Sequence, residues 1–300
     1  PLRPAGALLM AVSVPRRAAA VGGLSGFWRQ FRRHRTGVLG LAVVLVLAVV
    51  ALTAPWLAPH DPFTTSRAAL QPPGTPGYLL GTDHLGRDVL SGILWGSRVS
   101  LLVGLAAAFT ATVIGILVGA VAGYFGGWAD ELLMRVTELF QIIPRFVLAL
   151  IVVAFFGSGL TNLILVIGIL SWPQTARLVR SQFLRHRSLP YVDGARVVGM
   201  RSGRIIFGEI LPNVLAPVIV VASLDIAQAI LLEASLGFFG LGDPNLRSWG
   251  GMLNTAQQYV RIAWWMSVFP GVAISLAVLG FNLVGDGLNE ATDPRLREGT

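Results

Sequence analysis

Val38-Leu39-Gly40-Leu41-Ala42-Val43-Val44-Leu45-Val46-Leu47-Ala48-Val49-Val50-Ala51-Leu52-Thr53-Ala54-Pro55-Trp56-Leu57 runs for twenty residues without one ionisable side chain. At about 1.5 Å per residue such a run crosses the roughly 30 Å hydrocarbon core of a bilayer as a single helix. Further runs of spanning length lie near Ser100–Tyr124, Leu133–Phe156, Leu160–Leu178, Asn213–Leu236 and Ala263–Val284. The expectation is an all-α polytopic membrane protein with six transmembrane helices. Composition agrees, with 54% hydrophobic and 13% charged residues and a mean hydropathy of +0.70, where soluble domains are about 25% charged.

The net charge of +8 is topological. All 23 basic residues are arginine. With the N-terminus inside, seventeen arginines fall on inner segments, five on outer ones (Arg67, Arg87, Arg98, Arg247 and Arg261), and Arg145 falls within a span. This satisfies the positive-inside rule for an N-in, C-in chain and removes the need for a nucleic-acid partner. Residues 1–37 read as a cytoplasmic tail whose Trp28–Arg35 stretch anchors the first span, 38–57, and 58–98 as an external segment. Pro1–Met10 is set aside as an upstream extension, with Met10 a plausible start. Asp88 to Ser100 reads as an amphipathic helix on the outer surface.

The absence of cysteine and lysine narrows the chemistry. Disulfides, thiolate metal sites, a Walker-A lysine and a lysine nucleophile are all excluded. If ATP drives this protein, another polypeptide binds it. His34, His60, His84 and His186 are scattered in loops without a metal-binding spacing, and Ser158 has no base partner. Neither catalytic residues nor a metal site are expected.

Within the spans, Ala107, Ala111, Gly115, Gly119 and Gly123 recur every four residues. Such a stripe lets another helix approach closely, either in the same bundle or in a second subunit. Pro144, Pro173, Pro217 and Pro270 interrupt later spans and free backbone carbonyls. Asp225 and Glu233 stand two turns apart in the fifth span. Carboxylates in hydrocarbon are costly, so they are assigned either to a water-filled path or to pinning helix packing.

Between spans four and five lies a polar island, Asp193-Gly194-Ala195, Gly199 and Ile210-Leu211-Pro212. Tyr191–Val198 and Arg201–Ile210 read as two short helices about Gly199, with Pro212 in the first turn of the fifth span. Small residues at Gly194 and Ala195 admit a close partner surface.

This island resembles the EAA loop of ATP-binding-cassette (ABC) importer permeases, with Asp for Glu at 193 and Gly for Ala at 194. The resemblance extends through Gly81–Asp88, Gly96–Leu101, Gly123–Gly127, Glu233–Gly242, Ser248–Leu253, Phe281–Leu288 and Asp293–Arg297, with Gly237 and Phe239 where the family usually has Ser and Leu. These segments look like the second permease of dipeptide, oligopeptide and nickel importers. The resemblance implies a type I ABC importer permease fold in a prokaryotic inner membrane, with a permease domain over 99–297 and a coupling loop at about 186–212. Asp193, Gly194, Ala195, Gly199, Ile210, Leu211 and Pro212 would then couple to the ATPase. The partners implied are a homologous permease, two ATPase subunits that hold ATP and magnesium, and an extracytoplasmic substrate-binding protein; no cofactor is expected on this chain itself. Small peptides are the expected cargo, with nickel chelates or other small solutes as the alternative. A self-contained secondary transporter using Arg145, Asp225 and Glu233 as an ion relay is a further alternative, for which six spans without an inverted repeat are few.

Overall fold

A computed structural model describes residues 24–292. Pro1–Met10, Arg3, Arg16, Arg17 and the Asp293–Arg297 motif lie outside the described residues. The chain is a multi-pass bundle: α1 (Leu24–Arg33), α2 (Arg35–Leu57), α3 (Val89–Phe125), α4 (Gly127–Ile142), α5 (Arg145–Phe156), α6 (Leu160–His186), α7 (Pro190–Val197), α8 (Ser202–Arg204), a π-turn (Ile205–Ile210), α9 (Leu211–Phe238), α10 (Trp249–Ala256) and α11 (Trp265–Thr292). Five stretches are individually long and apolar enough to cross a membrane.

The pairing of α3 with α6 organises the bundle. A Cβ on Gly168 would meet Thr110, one on Gly115 would meet Thr175, one on Gly119 would meet Val179, and one on Gly123 would meet Phe183. The small-residue stripe is thus consumed inside this chain, where backbones approach closely. The contacts advance along both helices in the same sense, so α3 and α6 run parallel. The segment between two parallel spans must bring the chain back across the membrane, and that segment is α4 and α5.

This crossing corrects the expected single helix at Leu133–Phe156. α4 and α5 meet at an angle of 85°. Pro144 lacks an N–H and pushes the preceding residue out of helical geometry; Ile143 accordingly takes φ −90°, ψ 132°. Six crossings stand, one of them broken.

Two boundaries also differ from expectation. Asp88–Ser100 is no separate surface helix. Asp88 caps α3 by accepting from the Ser91 N–H at 2.9 Å, and the helix continues unbroken to Phe125. Its outer turns stand against α10, with Gly92 at Met252 and Gly96 at Trp249. The second island helix, Arg201–Ile210, is likewise continuous with the fifth span. Pro212 therefore stands inside a helical run, not at its free start. An α-helical register would drive its ring into the carbonyl four residues back. Here the chain widens just before it, and the Leu211 N–H donates to the Ile206 carbonyl, five residues earlier.

Outside the membrane, the loop from Asp83 to Arg87 is stapled by one carboxylate. Asp83 accepts from the Leu85 N–H (2.8 Å) and the Arg87 N–H (2.9 Å), and its other oxygen receives the Arg247 guanidinium at 3.4 Å. Arg247 also donates to the Pro62 carbonyl at 3.1 Å. Burial, with Arg87 close by, pulls the Arg247 guanidinium below its usual range, opposed by Asp83. Gly237 is fixed by close approach: a Cβ there would lie 2.9 Å from the Gly250 backbone, whereas Phe239 is exposed and packs on Phe146.

Candidate coupling surface and membrane cavity

The island is a knob anchored from beneath. Val192, Ile205, Ile206 and Ile210 are buried with Val179 and Phe183 of α6 and Val214 and Val218 of α9, and Ala195 packs against this cluster. α7 then closes in a Schellman motif. The Gly199 N–H donates to the Arg196 carbonyl at 2.9 Å, and the Met200 N–H reaches the Ala195 carbonyl at 3.0 Å. The residue that closes this motif must be left-handed, and Gly199 has φ +80°.

The anchoring leaves an apolar tip outside. Val197 and Val198 are 87% and 82% exposed, and space around Gly194 is open. Asp193 pairs with Arg196 at 3.0 Å on the solvent side, a contact of little energetic weight, and Arg196 lies over the Tyr124 ring. The Tyr191 hydroxyl sits 2.9 Å from His186 Nδ1. Burial, reinforced by Glu209, pushes the Tyr191 phenol up, so it keeps its proton through neutral pH. Of the seven island residues singled out in the sequence, Asp193, Gly194, Ala195 and Gly199 form the knob. Ile210, which ends the π-turn, and Leu211, which opens α9, pack in its root, and Pro212 follows exposed in the first turn of α9.

Asp225 and Glu233, grouped together in the sequence, take different positions. Glu233 is 1% exposed and receives the Ser100 hydroxyl at 2.9 Å, between α3 and α9. Asp225 is 4% exposed and receives the Thr175 hydroxyl of α6 at 3.0 Å. It lines a cavity of about 550 Å³ together with Arg145, Gln174, Gln228, Ser235 and Asn282, and Glu233 does not. Gln174 and Gln228 are exposed. Glu233 thus sits in helix packing, and Asp225 sits beside a polar space. Gln174, Gln228 and Asn282 were missed by the sequence reading; only Gln228, one turn from Asp225, carried a local signal.

Comparison with known proteins follows the same lines. Residues 115–298 match the family described as binding-protein-dependent transport system inner membrane component. Residues 24–73 match the N-terminal TM domain of oligopeptide transport permease C. The chain is 43% identical over 282 residues to the dipeptide transport system permease protein DppC of Escherichia coli K12, covering 92% of this chain and 94% of that one. It is 41% identical over 281 residues to the di/tripeptide transport system permease protein DppC of Pseudomonas aeruginosa, covering 91% and 93%. It is 40% identical over 275 residues to the glutathione transport system permease protein GsiD of Pectobacterium atrosepticum, covering 90% and 91%. In fold it is similar to a chain of the inward-facing MetNI methionine ABC transporter, with a TM-score of 0.55 and 20% identity, covering 67% of this chain and 97% of that one.

Proposed function

The chain belongs to the binding-protein-dependent transport system inner membrane components, and from that membership we propose that it is one half of the translocation path of an importer for di- and oligopeptides. A homologous permease supplies the other half. Two ATPase subunits bind and hydrolyse ATP, and an extracytoplasmic binding protein delivers cargo. The observation that carries the coupling role is the apolar tip Val197-Val198, held out by a buried root that continues directly into α9. A force applied to the knob acts on the same helical run that bears Asp225. ATP-driven closure of the ATPases would bias the bundle between inward- and outward-open states, as ligand-linked population shifts do.

Peptide as cargo rests on relatives named for dipeptide and di/tripeptide transport. The relative named for glutathione transport extends the cargo class to other small peptide-like solutes. The test is uptake of labelled dialanine by the reconstituted importer. Val197→Asp combined with Val198→Asp should abolish ATP-dependent uptake and co-purification of the ATPase, while membrane insertion persists. Full uptake in that variant would refute coupling through the knob. Proton-driven uptake by this chain alone would favour the secondary-transporter reading.

A further inference from the structure

A peptide with free ends carries two charges through the membrane, an ammonium and a carboxylate. Each is costly in hydrocarbon unless the path offers an opposite charge or water. The cavity bordered by α5, α6, α9 and α11 holds both signs. Arg145 opens α5 directly after the Pro144 break, and Asp225 lies near the middle of α9, about 20 Å from either end at 1.5 Å per residue.

The two do not behave as a structural ion pair. Arg145 and Asp225 line the same cavity, but Asp225 takes its hydrogen bond from Thr175. Arg145 is only half-buried, and no hydrogen bond or ion pair engages its side chain among the described residues. Between and around the charges stand the neutral amides Gln174, Gln228 and Asn282, which donate and accept without selecting a sign. The volume, about 550 Å³, falls in the roughly 300–1,000 Å³ range of small-molecule sites. A lone cation or anion entering here meets one attractive and one repulsive group. A zwitterion can satisfy both.

We propose that this cavity is a peptide-contact site within the translocation path, in which Asp225 receives the peptide ammonium and Arg145 its terminal carboxylate, so that the path itself favours peptides with both ends free. This rests on the peptide-import reading above. Contact with a mutually neutralising pair suits transport, because a path must bind its cargo weakly enough to release it.

The experiment uses the complete importer in liposomes, with uptake normalised to ATP hydrolysed. Radiolabelled dialanine, a zwitterion, is compared with alanyl-alanine amide, a cation. Every variant receives cargo from the same binding protein, so that protein's own preference cancels when dialanine-to-amide ratios are compared. Arg145→Gln should lower the ratio about fivefold, the worth of one partly screened charge contact. Asp225→Asn should lower uptake of both cargoes, which share the ammonium, and raise the ratio only slightly by relieving the repulsion of the dialanine carboxylate. Gln228→Lys adds a cation at an exposed wall position without removing any packing, and should also raise the ratio. These opposite directions cannot come from a general loss of stability. A ratio unchanged in all three variants, with dialanine still imported, overturns the inference and leaves peptide import standing. A wild-type importer that takes up no dialanine overturns peptide import and the inference together.

Discussion

Ser100 donates its hydroxyl to Glu233 at 2.9 Å across 133 positions of sequence, and the same oxygen lies 3.4 Å from the Trp249 N–H. One buried carboxyl thereby ties α9 to α3 and, through Ser100, to the start of α10. Removing a buried partner leaves the other group unsatisfied and adds a void. Glu233→Ala should cost about 2–4 kcal/mol, and Ser100→Ala nearer 1 kcal/mol, as interhelical hydrogen bonds in membranes are worth. Glu233→Gln, which still accepts from Ser100, should cost less than either. Thermal unfolding of the purified protein in detergent checks the order.

The α3–α6 contact makes a sharper prediction. A Cβ at Gly119 would stand 2.7 Å from the Val179 Cβ and 3.0 Å from the Arg180 backbone nitrogen. Neither is the movable end of a long side chain, so the helices must separate. Gly119→Val should destabilise by about 3 kcal/mol, the upper end for overpacking, with loss of monodisperse protein on size exclusion. Gly159→Ala, where a Cβ meets nothing within 4 Å, should cost at most about 1 kcal/mol, for a poorer N-cap on α6.

At the knob, the cost is conformational instead of steric. Nothing lies within 4 Å of a Cβ on Gly199, but its φ is +80°. A non-glycine residue there pays about 1–2 kcal/mol in the left-handed region. Gly199→Val should therefore reshape the Val197-Val198 tip and reduce ATPase stimulation by cargo-loaded binding protein. Insertion and the melting temperature of the bundle should change little.

Arg247 holds the outer segment through geometry that lysine cannot copy. Its forked guanidinium reaches both Asp83 and the Pro62 carbonyl and lies over the Phe63 ring. Arg247→Ala should cost about 2–3 kcal/mol as a broken, largely buried pair. Faster proteolysis of the segment between Ala58 and Asp88 in right-side-out vesicles would report it. Arg247→Lys should protect only slightly better than alanine.

The spans were legible because apolar length is a one-dimensional property, and twenty uncharged residues at 38–57 admit few other structures. Direction is not one-dimensional. Leu133–Phe156 has the length of one span, and Pro144 marks an interruption in it, but neither shows that the chain turns by 85° inside its crossing. The small-residue stripe carried the same spacing whether it met its own chain or another, so its partner waited on Thr175, Val179 and Phe183. The cavity was least legible. Asp225 stood out by its charge, but Gln174, Gln228 and Asn282 come from separate helices and converge only in the fold.

The π-turn at Ile205–Ile210 has a consequence for orientation about the helix axis. It inserts one residue more than an α-helix would hold between knob and span. An α-helix advances 3.6 residues per turn, so one residue corresponds to about 100° of azimuth. The extra residue thus sets the compass bearing of the Val197-Val198 tip relative to the face of α9 that carries Asp225. Deleting one residue from this turn would keep composition, burial and helix content nearly intact. It would nevertheless swing the tip a quarter of the way round the bundle, out of phase with whatever receives it.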